Sequence, residues 1–184
     1  MTSVLVVCTG NVCRSPSAEG LLRRAFDRRL GAGVVEVSST GTAGWEGSPP
    51  TAESIRATAE RGVDIAHHRA SVLTAERIDG ADLIVAMARE HRAAVAALRP
   101  EADDRTFTIR ELAAIVDGTT SADLDRLVAL ARARRDDAPR DPWADDVADP
   151  LGMPLGTYRA MAADLDDLAD RIGGAIVGPA EVPS

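Results

Sequence analysis

Near the N-terminus, the segment Cys8–Ser15 reads CTGNVCRS, with a cysteine at its start and an arginine six residues later. It lies between a predicted strand and a predicted helix, and such a loop can turn successive backbone N–H groups towards a tetrahedral anion. The partial positive charge of the helix N-terminus would stabilise both that anion and a thiolate at Cys8. The planar guanidinium of Arg14 can bind two oxygens of a phosphoryl group. These residue types indicate phosphoryl transfer with a cysteine nucleophile.

Two further residues of this loop suit the same chemistry. Ser15 is positioned for its hydroxyl to donate a hydrogen bond to the Cys8 sulfur, which would help the thiolate to attack and to leave. Asn11 is the only asparagine of the chain, and asparagine tolerates the left-handed backbone that a tight loop requires. A bare Cys-x5-Arg spacing would also suit a buried strand cysteine and a surface arginine. The strand, turn, helix and serine together favour the chemical interpretation.

Short apolar runs alternate with helical patterns along the chain. The predicted strands are Ser3–Val7, Val34–Val37, Asp82–Met87 and Thr106–Ile109. The predicted helices are Ala18–Leu30, Thr51–Gly62, Ala88–Leu98, Ser121–Arg135 and Leu155–Ile172. The predicted loops, rich in Gly, Pro or Asp, include Ser38–Pro50 and Asp136–Pro150. This alternation predicts an α/β domain with a parallel sheet that is covered on both faces.

The length and charge of the chain narrow the class of protein. Its 184 residues suit one domain, which we expect over residues 1–177, followed by a loose tail over residues 178–184. The net charge of -8 argues against a nucleic-acid partner, because no basic stripe is present to displace counterions. No apolar stretch approaches the roughly 20 residues that span a bilayer, and no export signal is visible. With only two cysteines, a reducing cytoplasm is the expected compartment.

The segment VCTGNVCRSPSAE, residues 7–19, resembles the signature of the low-molecular-weight protein tyrosine phosphatase family. The resemblance implies a flavodoxin-like fold, with a four-stranded parallel sheet and helices on both faces. It implies hydrolysis of protein phosphotyrosine through a phosphocysteine, with Cys8 as nucleophile, Arg14 as phosphate ligand and inorganic phosphate as product. No cofactor or metal is implied. The loop residues that would surround the phosphoryl group are Thr9, Gly10, Asn11, Val12, Cys13 and Ser15.

Members of this family also hold the loop with polar side chains from elsewhere in the chain. The resemblance implies that Ser39, in the segment STGT, and His68, in the segment HHRA, join Asn11 and Ser15 in this support. Without the resemblance, Ser39 would be an ordinary serine at a strand end. His68 would be a surface or helix-cap residue.

The leaving group of a phosphate ester needs a proton, and a phosphocysteine needs a base that activates water. One carboxyl group can do both in turn. The acidic loop offers two Asp-Pro pairs, which begin at Asp141 and Asp149. Asp141 is followed by Trp143, at the place where the family usually has an aromatic residue. Asp149 is followed by the family's glycine, Gly152, and by a long helix, and this spacing favours Asp149 as the acid. Both pairs could instead only begin turns.

Two residues would flank the mouth of the pocket. Trp45 lies in the Gly-rich segment 41–47 and matches the variable loop that the family places beside the pocket, so it is a predicted substrate contact. Leu151 departs from the family, which normally has an aromatic residue there to stack on the substrate ring. This departure weakens the preference for phosphotyrosine, and Trp45 would compensate for it. Trp45 could instead pack across a neighbouring helix.

Three other functions use a similar loop. Thioredoxin-coupled arsenate reductases need further cysteines for a disulfide relay, and no cysteine follows Cys13. Protein arginine phosphatases resemble this loop but have a threonine at the position of Val12, so the apolar Val12 favours phosphotyrosine. A phosphate-binding module without catalysis would lack a catalytic group, whereas Cys8, Arg14 and a candidate acid are all present.

Cys13 suggests a hypothesis of redox regulation. Peroxide would oxidise the Cys8 thiolate to a sulfenic acid, and the Cys13 thiol would then displace water to form a reversible disulfide. In the alternative interpretation, Cys13 is an inert small residue of the loop.

Overall fold

The fold is described by a computed structural model over residues 2–135 and 142–177. The strands are β1 Thr2–Cys8, β2 Val35–Gly41, β3 Leu83–Ala86 and β4 Thr106–Thr108. They form one parallel sheet in the order β2-β1-β3-β4. The prediction of an α/β fold with a four-stranded parallel sheet is thereby confirmed.

Helices connect the strands and cover the sheet. In the described part of the chain they are α1 Arg14–Leu30, α2 Ala52–Ala59, α3 Ala75–Asp79, α4 Arg89–Leu98, α5 Ile109–Val116, α6 Leu124–Arg134 and α7 Leu155–Gly174. Short 3-10 helices cover Pro100–Arg105 and Pro142–Asp145. None of the helices in these ranges is long and apolar enough to cross a membrane.

The core lies on both faces of the central strand β1. Its side chains alternate, so Val4 and Val6 join the larger core cluster, to which α1, α5, α6 and α7 contribute. Leu5 and Val7 join a smaller cluster on the other face, together with Val95 of α4. Each fully buried aliphatic side chain contributes about 2 kcal/mol through removal from water. Burial on both faces explains why β1 is a continuous apolar run.

Several element boundaries differ from the predictions. The predicted loop Ser38–Pro50 is wrong over residues 38–41, because β2 continues to Gly41 in register with Cys8 of β1. The pairing with β1 makes these residues a strand, although their local sequence has only a weak preference for one. Helix α1 begins at Arg14, ahead of the predicted start at Ala18. Helices α3 and α5 were not predicted.

The acidic segment after α6 is only partly a surface loop. Val147 is buried, and its N–H donates to the carbonyl oxygen of Met87 at 2.8 Å, so the chain is fixed against the end of β3 at this point. Residues 136–141, which include the candidate acid Asp141, lie outside the described residues, and so does the predicted tail over residues 178–184.

Candidate active site

The Cys8–Ser15 loop connects the central strand β1 to α1 at the carboxyl end of the sheet. In open parallel sheets this is where ligands bind, at the point where the strand order reverses. Cys8 is buried, and its Sγ lies 2.9 Å from Ser15 Oγ. The Asn11 backbone N–H donates to the same sulfur at 3.2 Å. A hydroxyl and an amide directed at one sulfur stabilise a thiolate.

Asn11 organises the loop through its backbone and its side chain. Its φ of 57° lies in the left-handed region, which asparagine tolerates. The side-chain amide donates to Ser15 Oγ and to Ser39 Oγ, each at 2.8 Å. The side-chain oxygen accepts from the Ser71 N–H at 2.8 Å. This buried side chain therefore ties the loop to the end of β2 and to the segment before α3.

His68 and Glu19 complete this support. His68 Nε2 lies 3.2 Å from both oxygens of Asn11, and His68 Nδ1 lies 3.4 Å from Glu19 Oε2. The Ser39 hydroxyl donates to the same carboxylate at 2.7 Å. Burial acts to raise the pKa of Glu19, but hydrogen bonds from His68, Ser39 and Arg23 outweigh it and lower the pKa. The carboxylate is therefore charged at neutral pH and orients the side chains of His68 and Ser39, while Arg23 binds its other oxygen.

Ser39 and His68 thus both contact Asn11. Glu19 and Ser71 were not predicted as part of the support. For Glu19 a signal existed, because it stands four residues after Ser15 and therefore on the same face of α1.

Arg14 is almost fully buried at the start of α1. Its Nη1 donates to the Val147 carbonyl at 3.2 Å, and its Nη2 donates to Thr9 Oγ1 at 3.2 Å and to Asp149 Oδ2 at 2.6 Å. Its Nε is buried and has no hydrogen-bond partner among the residues that the structure describes. The guanidinium can therefore still donate to an anion held by the loop.

The structure brings Asp149 to the loop. Its carboxylate forms the ion pair with Arg14, and its Oδ1 accepts from the Leu151 N–H at 3.1 Å. The side chain is 41% exposed, so solvent and a ligand can reach it. The arrangement gives the site a carboxyl group that is positioned by backbone and arginine and is open to proton exchange.

Trp45 lies beside the loop. Its backbone N–H donates to the Gly10 carbonyl at 3.2 Å, and the residue is 51% exposed. A Cβ at Gly10 would lie 4.0 Å from Trp45 Cε2, so the indole is directly adjacent to the loop backbone. Leu151 and Met153 are exposed apolar residues beside Asp149. Exposed apolar residues thus lie next to the loop, at Trp45, and close to Asp149 in the chain, at Leu151 and Met153.

The side chains of Val12 and Cys13 pack among apolar residues of other elements. They are buried in a small cluster with Tyr158 of α7 and Ala57 of α2. The Cys13 sulfur lies 3.6 Å from Thr51 Oγ1. Burial raises the pKa of the Cys13 thiol, although the hydrogen bond with Thr51 acts to lower it.

A buried histidine, His91, contacts the loop from α4 and was not predicted. Its Nε2 lies 2.9 Å from Thr9 Oγ1. Burial, reinforced by the charge of Arg14, lowers the pKa of His91 to about 4. The sequence contained no signal for this contact, because the two residues are 82 positions apart.

Comparison with known proteins agrees with this geometry. A sequence profile described as Low molecular weight phosphotyrosine protein phosphatase matches residues 3–135. A protein-arginine-phosphatase of Geobacillus stearothermophilus is 34% identical over 169 residues, which are 92% of this chain and 92% of that protein. The low molecular weight protein-tyrosine-phosphatase Etp of Escherichia coli (strain K12) is 44% identical over 105 residues, 57% of this chain and 67% of that protein.

Solved structures show the same similarity. The low molecular weight protein tyrosine phosphatase from T. tengcongensis superposes with a TM-score of 0.71 at 35% sequence identity, covering 94% of this chain and 97% of that chain. The match of the family profile includes the whole Cys8–Ser15 loop and all four strands apart from the first residue of β1. The chain therefore belongs to the low molecular weight phosphotyrosine protein phosphatase family and is a phosphatase.

Proposed function

We propose that this phosphatase hydrolyses phosphotyrosine on proteins through a phosphocysteine formed on Cys8. The proposal is supported above all by one observation. A buried cysteine that receives a hydroxyl and an amide contact shares its loop with Arg14, whose Nη2 lies 2.6 Å from the Asp149 carboxylate. A nucleophile, an anion ligand and an acid are thus within one site.

In the first step of this mechanism, the Cys8 thiolate attacks phosphorus. The S–P bond forms, the P–O bond to the leaving group breaks, and Asp149 in its protonated form gives its proton to the leaving oxygen. The Arg14 guanidinium and the loop amides bind the equatorial oxygens, where negative charge is spread in the transition state. Arginine is suited to this task because its fork binds two oxygens in one plane.

In the second step, water attacks the phosphocysteine. The Asp149 carboxylate takes a proton from that water, an O–P bond forms, and the S–P bond breaks to release inorganic phosphate. The departing sulfur regains its negative charge, which the Ser15 hydroxyl and the Asn11 N–H stabilise. In this scheme the guanidinium and the amides neutralise the phosphoryl charge, and no cofactor takes part.

The surroundings of the loop support phosphotyrosine as the substrate. Trp45, whose indole is adjacent to Gly10, and Leu151 and Met153, which follow Asp149 in the chain, expose apolar surface that an aromatic leaving group would cover. Val12 is buried and apolar, so it offers no hydroxyl to a guanidinium substrate. We also propose a cytoplasmic location, supported by two buried cysteines that are both free thiols.

Phosphoarginine on proteins is the second candidate substrate. It is favoured by the similarity to the protein-arginine-phosphatase of Geobacillus stearothermophilus, which extends over 92% of both chains. The same Cys8 and Arg14 would act on it, and Asp149 would protonate a leaving nitrogen instead of an oxygen.

Phosphate release from matched phosphotyrosine, phosphoarginine and phosphoserine peptides, in the presence of a chelator, tests the proposal. We expect phosphotyrosine to give the highest kcat/KM. Cys8→Ser should abolish release, and Arg14→Lys and Asp149→Asn should each lower kcat about 100-fold or more. Asp141→Asn is the matched control and should retain activity. A preference for phosphoarginine would establish the second candidate, and release from none of the peptides would contradict both.

A further inference from the structure

Behind the Cys8–Ser15 loop lies a buried histidine that the proposed mechanism does not use. His91, in the first turn of α4, is 1% exposed. Its Nε2 lies 2.9 Å from Thr9 Oγ1 and 3.4 Å from a carboxylate oxygen of Glu90. Its Nδ1 is buried without a hydrogen-bond partner in the described parts of the chain. Nε2 is therefore the ring atom that has polar contacts, and the shorter of the two is the contact with Thr9.

Thr9 transmits this contact to Arg14. Its hydroxyl oxygen accepts a hydrogen bond from Arg14 Nη2 at 3.2 Å. A hydroxyl has one proton and two lone pairs, so with either tautomer of a neutral imidazole one lone pair remains for Arg14. The lowered pKa of His91 keeps the ring neutral at physiological pH, so no second positive charge stands behind the guanidinium.

Among the described residues, the Arg14 side chain has three hydrogen-bond partners, and the mechanism requires different things of them. Asp149 exchanges protons with the leaving group and with water, so its ion pair with Arg14 changes during turnover. The contacts with Thr9 Oγ1 and with the Val147 carbonyl involve no reacting group. These two contacts can hold the guanidinium plane through the whole cycle.

We propose that His91 is a positioning residue that acts through the Thr9 hydroxyl to fix the plane of the Arg14 guanidinium for binding the phosphoryl group. The inference rests on the proposed function of Arg14 as phosphate ligand. A planar fork binds two oxygens well only when it is aligned with them, so a small misorientation weakens both anion binding and phosphoryl transfer.

A double-mutant cycle tests this proposal. His91→Leu and Thr9→Val each remove the link, and kcat and KM for p-nitrophenyl phosphate are measured together with the Kd for inorganic phosphate. We expect each variant to lower kcat/KM about tenfold and to weaken phosphate binding, and the double variant to be no worse than either single variant. His91→Gln, whose amide can still reach Thr9, should recover most of the loss.

Val95→Ala is the matched control, because Val95 is equally buried on α4 but packs in the core cluster with Leu5 and Val7. It should lower stability without changing kcat/KM. Losses that multiply in the double variant, or an unchanged phosphate Kd in both single variants, would overturn the proposal. If His91→Leu does not fold, His91→Phe decides the test, because it keeps a ring on α4 but has no nitrogen for the Thr9 hydroxyl, which itself bonds Arg14. If the wild-type protein binds phosphate but hydrolyses no substrate, the proposed function is contradicted. The proposal for His91 can still be tested in that case, because the phosphate Kd values of the variants do not depend on hydrolysis.

Discussion

The two cysteines of the Cys8–Ser15 loop have different surroundings. The Cys8 sulfur contacts Ser15 Oγ and the Asn11 N–H, whereas the Cys13 sulfur contacts Thr51 within an apolar cluster. Burial raises the pKa of the Cys13 thiol. Because a thiol attacks a sulfenic acid as its thiolate, Cys13 would resolve oxidised Cys8 slowly at neutral pH.

The redox hypothesis therefore predicts a specific pH dependence. After a peroxide pulse, the activity recovered by dithiothreitol should increase as the pH rises, since the thiolate fraction of Cys13 grows towards its raised pKa. The recovered fraction is measured at a series of pH values in wild type and in Cys13→Ser. Cys13→Ser should lack this pH-dependent protection. Identical recovery in the two proteins would show that Cys13 is only a packing residue.

At the scale of elements, the end of β2 approaches the Cys8–Ser15 loop closely. A Cβ at Gly41 would lie 2.4 Å from the Thr9 carbonyl oxygen and 3.1 Å from the Asn11 nitrogen, both of them backbone atoms. Only glycine permits this approach, so Gly41 determines the position of the loop relative to Ser39. Strand β2 therefore both carries Ser39, which supports the loop, and contacts the loop backbone at Gly41.

Gly41→Ala should displace the loop and lower kcat/KM about 100-fold, the cost of misplacing reacting groups by about 1 Å. Steady-state kinetics and a thermal melt check this. Gly156→Ala is the matched control, because a Cβ at Gly156, near the start of α7, meets nothing within 4 Å. The control should keep wild-type activity. Wild-type kcat/KM in Gly41→Ala would contradict the role given to this approach.

Elements with strong local patterns could be predicted from the sequence. The run DLIVAM contains β3, and the periodic pattern before Gly173 marks α7. Helix α5 was missed because Thr108 both ends β4 and caps α5 through its capping box with Glu111, so no Gly or Pro separates the two elements. The Gly and Pro content of residues 38–50 predicts a loop, whereas residues 38–41 pair with β1, a long-range interaction that local composition does not reveal.

The residues of the candidate active site also divide into those that local sequence reveals and those that depend on long-range contacts. The residues of the Cys8–Ser15 loop could be selected from type and spacing, because the chemistry lies in one continuous segment. Ser39 and His68 required the family resemblance. Ser71 and His91 could not be selected, because they contact the loop from 60 and 82 positions away and neither spacing nor the family resemblance indicates them.

At the scale of the whole molecule, ion pairs connect elements across the surface. Arg92 pairs with Asp103, Arg99 with Asp79, and other arginines pair similarly, at exposed or partly exposed positions. Each such pair contributes little to stability. A buried group whose pKa differs between the folded and unfolded states has a larger influence on how stability depends on pH.

His91 is such a group. Its folded-state pKa is about 4 against an ordinary value of 6.5, so between these values the unfolded chain binds a proton that the folded protein does not. The free energy of unfolding should therefore fall as the pH drops from 6.5 towards 4, by up to about 3 kcal/mol from this residue. Urea unfolding at several pH values tests this, with His91→Gln as the comparison. Equal pH dependence in both proteins would contradict the assignment.

The proposed mechanism requires that Cys8 becomes covalently phosphorylated. Wild-type protein is mixed with a phosphotyrosine peptide, quenched with acid during turnover, and the modified residue is located by mass spectrometry, with Cys8→Ala as the control. We expect a phosphate group on Cys8 in the wild type, and neither this adduct nor phosphate release in the control. Phosphate release by the wild type without phosphorylation of Cys8, or release by Cys8→Ala, would contradict the mechanism.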